Sequence, residues 1–161
     1  DAGWLPLPPN FSPISAMAIV SGVFLPRRFA LVLPLSAMLL SDAIIGFYSL
    51  PVMMAVYASF AISNAIGFWL KQRVNVRRTI GASLAGSVVF FLVTNAAVWA
   101  FQAMYPHTFS GLMQAYTAGL PFFRNTVAGD LMYTGVFVGA VQAFVVYSHK
   151  RQLSIATITN G

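Results

Sequence analysis

Long apolar runs, separated by short stretches rich in proline or charge, make up most of this chain. The runs are continuous and do not alternate between apolar and polar residues, which is typical of helices and not of half-buried strands. Ser12 and Pro13 fit the N-cap and first-turn positions of the first run. We predict five helical segments, at about 12–26, 29–47, 51–70, 77–104 and 124–148.

Three parts of the chain fit this series less well. The first segment is short for a membrane crossing, which takes about 20 apolar residues in a helix. The stretch 108–120, TFSGLMQAYTAGL, is also too short and is predicted to be an interfacial or re-entrant piece. The last residues, 152–161, are polar and small, and we expect a frayed tail there. Residues 1–151 then form a single transmembrane domain.

The composition places these segments in lipid. Apolar residues make up 58% of the chain and charged residues 7%, whereas a soluble domain carries about 25% charged residues. In a bilayer every backbone N–H and C=O must be paired internally, so only helix bundles and closed barrels cross it. We therefore predict an all-α, polytopic transmembrane helix bundle with five spans.

The positive charges predict the orientation of the bundle. Arg124 alone lies at one end of the five predicted spans. At the other end lie Arg27, Arg28, Lys71, Arg73, Arg77, Arg78, Lys150 and Arg151. The positive-inside rule makes this second end cytoplasmic, with the N-terminus of the chain outside and the C-terminus inside. The net charge of +6 then reflects orientation and contact with anionic lipid headgroups, and we expect no nucleic-acid partner.

Polar side chains are rare within the segments, and most of them lie in the predicted outer half. A charge at membrane depth costs about 2.5–3.5 kcal/mol on insertion scales, so it normally faces a partner or a wet cavity. Arg124 and Asp130 are six residues apart on different faces of one helix, so Asp42 is the better partner for Arg124. These polar groups either clasp the helices together or line a substrate pocket. The candidates for substrate binding are Asp42, Asn95, Trp99, Arg124, Asn125 and Asp130.

The sequence contains no recognisable catalytic motif. It has no cysteine, no HExxH, no GxSxG, no phosphate-binding loop and no pair of carboxylates at catalytic spacing. His107 and His149 lie at the predicted interfaces, where a histidine is more often solvated than bound to a metal. We expect a protein that is not an enzyme and that holds no cofactor and no metal.

Pairs of small residues four apart recur in the apolar segments. Such spacing lets two helix backbones approach closely. The strips either pack the chain against itself or form a contact face for another membrane subunit. The residues concerned are Ala18 and Gly22, Gly81 and Ala85, and Gly135 and Gly139.

Several stretches together resemble an uncharacterised family of small bacterial integral membrane proteins, over nearly the whole chain. They are NFSPISAMAIVSGVFLPRR, LPLSAMLLSD, GASLAGSVVFFLVTN and LPFFRNTVAGDLMYT. That family is in turn similar to the substrate-binding S components of energy-coupling-factor vitamin transporters. The second similarity rests on the order of segments, on the proline, glycine and aspartate pattern in 13–46, and on P…GDL in 121–131.

The resemblance implies a bacterial cytoplasmic (inner) membrane protein. S components have six helices with both termini in the cytoplasm, so an additional helix before Asp1 is expected. Their first helix docks the coupling subunit through small residues, and the helix expected before Asp1 would correspond to it. They bind a vitamin or a metal from outside, in a pocket formed by outer loops and the outer part of the last helix.

Two functions follow as hypotheses. In the first, the protein is an S-component-like subunit with an outward-facing pocket, in which Arg124 holds an anionic group and Asp42 and Asp130 orient Arg124 or bind a cationic group. Its partners would be a small-molecule solute, lipids and a separate ATPase module. In the second, it is an accessory subunit that stabilises a larger respiratory or photosynthetic membrane complex, and its partners are other membrane protein subunits.

Overall fold

The computed structural model describes residues 11 and 14–159, and these form a bundle of five α-helices. Of the described helices, α2 to α5 are long and apolar enough to cross a membrane. The prediction of an all-α fold is confirmed, and the four long apolar helices are consistent with a multi-pass membrane protein. The helices are α1 (Ile14–Phe24), α2 (Arg27–Ile45), α3 (Leu50–Leu70), α4 (Val76–Phe101) and α5 (Phe109–Thr159).

Helix α1 is too short to be a fifth span on its own. It has 11 residues, which is about 16 Å of helix and half of a bilayer core. Five spans were predicted, and four helices among the described residues reach the necessary length. The predicted cap at Ser12 and Pro13 lies outside the described residues.

The last helix differs most from the prediction. The expected interfacial piece at 108–120, the fifth segment and most of the polar tail form one continuous helix of 51 residues, Phe109–Thr159. Pro121 lies inside this helix and does not end it. A proline removes one backbone hydrogen bond, but membrane helices accept this when neighbouring groups satisfy the freed carbonyl. The sequence prediction was wrong here because it treated 108–120 and 124–148 as separate segments.

Helices α1 and α3 approach each other through glycines. A Cβ atom built on Gly22 would collide with the backbone oxygen of Asn64, and one built on Gly67 would collide with the backbone oxygen of Ile19. Ala18, from the same predicted strip as Gly22, is fully buried. Close backbone approach gives dispersion contacts that apolar lipid cannot replace, so these glycines position the short α1 against the bundle.

The basic turns lie at one end of the bundle. The Arg27 guanidinium carbon lies 5.9 Å from the ring centroid of Phe68, and that of Arg78 lies 4.8 Å from the ring centroid of Trp69. The α1–α2 and α3–α4 turns therefore meet at what we call the basic end. The side of the membrane that this end faces remains the prediction of the positive-inside rule.

Candidate functional site

Asp130 is a buried carboxyl near mid-depth of the bundle. Its side chain is 1% exposed, and the Ser87 hydroxyl donates a hydrogen bond of 2.7 Å to its Oδ2 atom. The Ser15 hydroxyl of α1 also hydrogen-bonds this carboxyl. Ser87 lies near the middle of α4 (Val76–Phe101), so Asp130 lies deeper than the predicted outer half. The depth was misjudged because α5 begins at Phe109 and not near residue 124.

Hydroxyl groups continue from Asp130 toward the basic end. We call Ser87, Ser83 and Thr79 of α4, with Asp130 and Thr134 of α5, the polar ladder. Residues four apart share one face of a helix, and the antiparallel α4 and α5 bring the two faces together. All five side chains are buried. The hydroxyl oxygens of Ser83, Thr79 and Thr134 have no hydrogen-bond partner.

Unpartnered hydroxyls are not the rule in this bundle. The Ser63 hydroxyl donates to the carbonyl of Ser59 at 3.0 Å, and the Thr94 hydroxyl to the carbonyl of Phe90 at 2.7 Å. A membrane helix commonly satisfies serine and threonine in this way. The three unpaired oxygens of the ladder are therefore donors and acceptors without a protein partner.

A cavity of about 500 Å³ adjoins the ladder on its basic side. Gly135 and Gly139 form part of its wall, and a Cβ on either would meet no atom within 4 Å. These glycines were predicted either to pack the chain against itself or to face another subunit, and in the described structure they border open space. Also lining the cavity are Val74, Asn75, Val76, Thr79, Ile80, Ser83, Leu131, Thr134, Val138 and Gln142.

The polar ladder contains one carboxyl group and no positively charged side chain. Among the described residues no Lys, Arg or His pairs with Asp130, and its carboxyl is hydrogen-bonded by the Ser87 and Ser15 hydroxyls. A buried charge is stable when it is paired, so a cation or a proton would complete this site. The described residues bring no three His, Cys, Asp or Glu side chains together, so they contain no preformed multi-ligand metal site.

Asp42 has a different partner from the predicted one. The Tyr57 hydroxyl of α3 donates a hydrogen bond of 2.9 Å to its Oδ2 atom. Burial, followed by the charge of Asp42, raises the pKa of Tyr48 in the α2–α3 turn. In the described structure α1 packs against both α2 and α5, which do not contact each other. The expected Asp42–Arg124 pair is therefore not formed, and Arg124 is exposed.

Asn95 and Trp99 contribute to the packing of the end opposite the basic turns. The Asn95 amide donates to the carbonyl of Phe91 in its own helix at 2.8 Å, and its oxygen lies against Gly119 of α5. The Trp99 indole N–H donates to the carbonyl of Pro106 at 3.0 Å, which fixes the α4–α5 turn. These contacts give both residues a structural role at this end.

The six predicted binding residues do not share one cavity in the described structure. Asn95 borders a cavity of about 120 Å³, which contains none of the other five. A groove of about 510 Å³ beside Tyr105, Ser110 and Gln114 contains none of the six. Asn125 is half-buried on α5 and has contacts of its own.

The partners of Asp130 were not among the residues predicted from the sequence. Their signal is a hydroxyl at every fourth residue of an apolar helix, at 79, 83 and 87, facing the series 126, 130 and 134 on another helix. Such a series marks a polar stripe on one helix face. It could have been found from spacing alone, although the pairing of the two stripes could not.

A family model matches residues 3–153 of the chain. The chain belongs to the family of unknown function DUF6580. The DUF6580 match spans the polar ladder as well as both basic turns, so the site lies within the family's domain. No curated protein and no solved structure matches the chain. The comparisons thus support the small family and give no support to the further similarity to S components.

Proposed function

We propose that this DUF6580 protein is a non-enzymatic membrane protein that binds a small solute between α4 and α5. Asp130 would hold a cationic group of that solute. The observation that carries the proposal is the buried Asp130 carboxyl, which has hydroxyl neighbours but no positive partner among the described residues. Ionisable groups inside membrane proteins commonly mark solute or ion sites.

The neighbouring cavity supports this proposal. Its volume of about 500 Å³ is within the range of small-molecule sites, about 300–1,000 Å³. Ser83, Thr134 and Thr79 offer unpaired hydroxyls along its wall. A solute with a cationic end could reach Asp130 past these hydroxyls and place its remaining atoms in the cavity.

More specifically, we propose that the protein is an S-component-like transport subunit of the bacterial inner membrane. Uptake would then need a separate ATPase module, and the C-terminus would be cytoplasmic. The cavity beside the ladder opens near the basic end, which is cytoplasmic in the predicted orientation. An outward-facing pocket would have to develop from the cavity of about 120 Å³ beside Asn95.

Native mass spectrometry of the protein, extracted gently from its own membrane, tests the proposal. We expect a bound small molecule on the wild type that is lost in Asp130→Asn. Asparagine has nearly the same shape and still accepts the Ser87 hydrogen bond, so the fold should survive. Asp42→Asn is the matched control, because it removes the other described intramembrane carboxylate and should keep the ligand. Equal ligand retention in Asp130→Asn and the wild type would refute the assignment.

The second candidate is an accessory subunit of a larger respiratory or photosynthetic membrane complex. The observation in its favour is the open space at Gly81, Gly135 and Gly139, where a Cβ would meet nothing within 4 Å. A helix of another subunit could pack there. Gly135→Leu/Gly139→Leu separates the two functions in the same experiment: loss of a stoichiometric complex supports this candidate, and loss of a small bound mass supports the first.

A further inference from the structure

A further cavity lies beside α3 and α4 at the basic end. Its volume is about 520 Å³. We call it the α3–α4 groove. Two arginines form its polar end, and small residues form its apolar floor along α4. The groove is lined by Ile66, Trp69, Arg77, Arg78, Gly81, Ala82 and Ala85.

The arginines present unused hydrogen-bond donors to this groove. The Arg78 guanidinium carbon lies 4.8 Å from the ring centroid of Trp69, a stacking contact that fixes the group. Its Nη1 atom is buried and has no hydrogen-bond partner. Arg77 lies beside it and is exposed. Planar guanidinium groups match the oxygens of a phosphate, which can accept two parallel hydrogen bonds.

These charges have no counter-ion in the described structure. The sequence contains three carboxylate side chains, Asp1, Asp42 and Asp130. Asp42 is bound to Tyr57 near the end of α2 away from the basic turns, and Asp130 is bound to Ser87 at mid-depth. Neither described carboxylate lies beside the two arginines, so no side chain in the described part of the chain balances their charge.

The floor of the groove is suited to a lipid chain. Gly81 and Ala85 are exposed and follow Arg77 by one and two helical turns toward the middle of the membrane. A Cβ on Gly81 would meet nothing within 4 Å, so the groove is open along this line. Trp69 is 51% exposed beside it, and tryptophan is enriched at the level of lipid headgroups.

We propose that the α3–α4 groove binds one anionic phospholipid. Its phosphate accepts hydrogen bonds from Arg77 and Arg78, and one acyl chain lies along Gly81 and Ala85. The site is separate from the polar ladder, so it does not depend on the solute-binding proposal.

Native mass spectrometry of the delipidated full chain with added lipid tests this site. The probes are phosphatidylglycerol and phosphatidylcholine with the same acyl chains. We expect phosphatidylglycerol to bind in preference, and Arg77→Ala/Arg78→Ala to lower its bound fraction about tenfold. Gly81→Leu keeps the charges and fills the floor, and it should lower binding similarly. Arg27→Ala/Arg28→Ala removes equal charge at the same end and should keep binding within about twofold.

Four results would overturn the proposal. Equal loss in Arg27→Ala/Arg28→Ala would show a diffuse charge effect, and unchanged binding in Gly81→Leu would exclude the groove. Equal binding of phosphatidylcholine would remove the role of the headgroup charge. Displacement of the lipid by inorganic phosphate would show a site for a free anion. If the arginine variant does not fold, as judged by circular dichroism, the Gly81→Leu result decides.

Discussion

The Asn64 amide nitrogen of α3 lies 2.7 Å from the carbonyl oxygen of Ala30 in α2. Pro34, four residues further along α2, has no N–H and leaves this carbonyl without its helical donor. Asn64 and the Ser21 hydroxyl, at 2.8 Å, replace that donor. The Asn64 amide also lies 3.0 Å from the carbonyl of Ala18. The buried Asn64 side chain thus donates to the carbonyl that Pro34 leaves unpaired, and it links α1, α2 and α3.

This arrangement predicts that Asn64 and Pro34 are energetically coupled. Asn64→Leu should destabilise the bundle by about 1–3 kcal/mol, because it leaves the Ala30 carbonyl with fewer donors. In a Pro34→Ala background residue 34 supplies the helical N–H, so the same change should cost about 1 kcal/mol less. Thermal unfolding in detergent measures both differences.

Ser63→Ala is the matched control for this cycle. Its hydroxyl bonds the Ser59 carbonyl of its own helix at 3.0 Å, so its cost should not depend on residue 34. If Asn64→Leu lowers the stability equally in both backgrounds, Asn64 does not replace the donor that Pro34 lacks.

The glycines of the bundle should respond in opposite directions to an added methyl group. Gly22→Ala places a Cβ against the backbone of α3 and should cost about 1–3 kcal/mol. Gly81→Ala meets open space and should stabilise α4 by about 0.5–1 kcal/mol, because glycine is a poor helix residue. The change in melting temperature of the two variants checks this. If both variants melt like the wild type, α1 and α3 are not in close contact.

The Ser87 hydroxyl should matter most while residue 130 is a carboxyl that needs a donor, because it otherwise bonds the Ser83 carbonyl of its own helix. Ser87→Ala should destabilise the protein by about 1–3 kcal/mol, since Asp130 loses a 2.7 Å hydrogen bond in a buried place. With Asp130→Leu already present, the same change should cost less. Thr94→Ala, whose hydroxyl bonds its own helix, serves as control in unfolding experiments. Equal costs of Ser87→Ala in both backgrounds would show that the two side chains do not interact.

The absence of cysteine from the chain makes its orientation directly measurable. Gln72→Cys lies in the basic α3–α4 turn and Ala103→Cys in the α4–α5 turn, and both positions are exposed. In intact cells an impermeant thiol reagent should label Ala103→Cys, and Gln72→Cys should react only after the membrane is opened. The reverse pattern would invert the predicted topology.

The sequence by itself predicted a membrane environment. It also predicted the number of long apolar helices to within one. Low charge and continuous apolar runs suffice for this, because a bilayer admits few backbone solutions. The clustering of arginines between alternate segments likewise placed the two basic turns at one end, and the Arg27–Phe68 and Arg78–Trp69 stacks agree. These conclusions depend on composition along the chain and not on which helix touches which.

Only the tertiary structure decided the partners of the polar groups. Asp42 has Tyr57 and not Arg124, because α2 contacts α1 and α3 but not α5 among the described residues. Asp130 is hydrogen-bonded to Ser87 because α5 begins at Phe109 and continues through Pro121. This places residue 130 near the middle of the bundle and not at its outer end. In a membrane the apolar faces of helices are nearly interchangeable, so pairing depends on small contacts between backbones and on single hydrogen bonds. The order of residues along the chain does not encode these contacts. The polar ladder is therefore seen only in the tertiary structure, where α4 and α5 bring distant residues together.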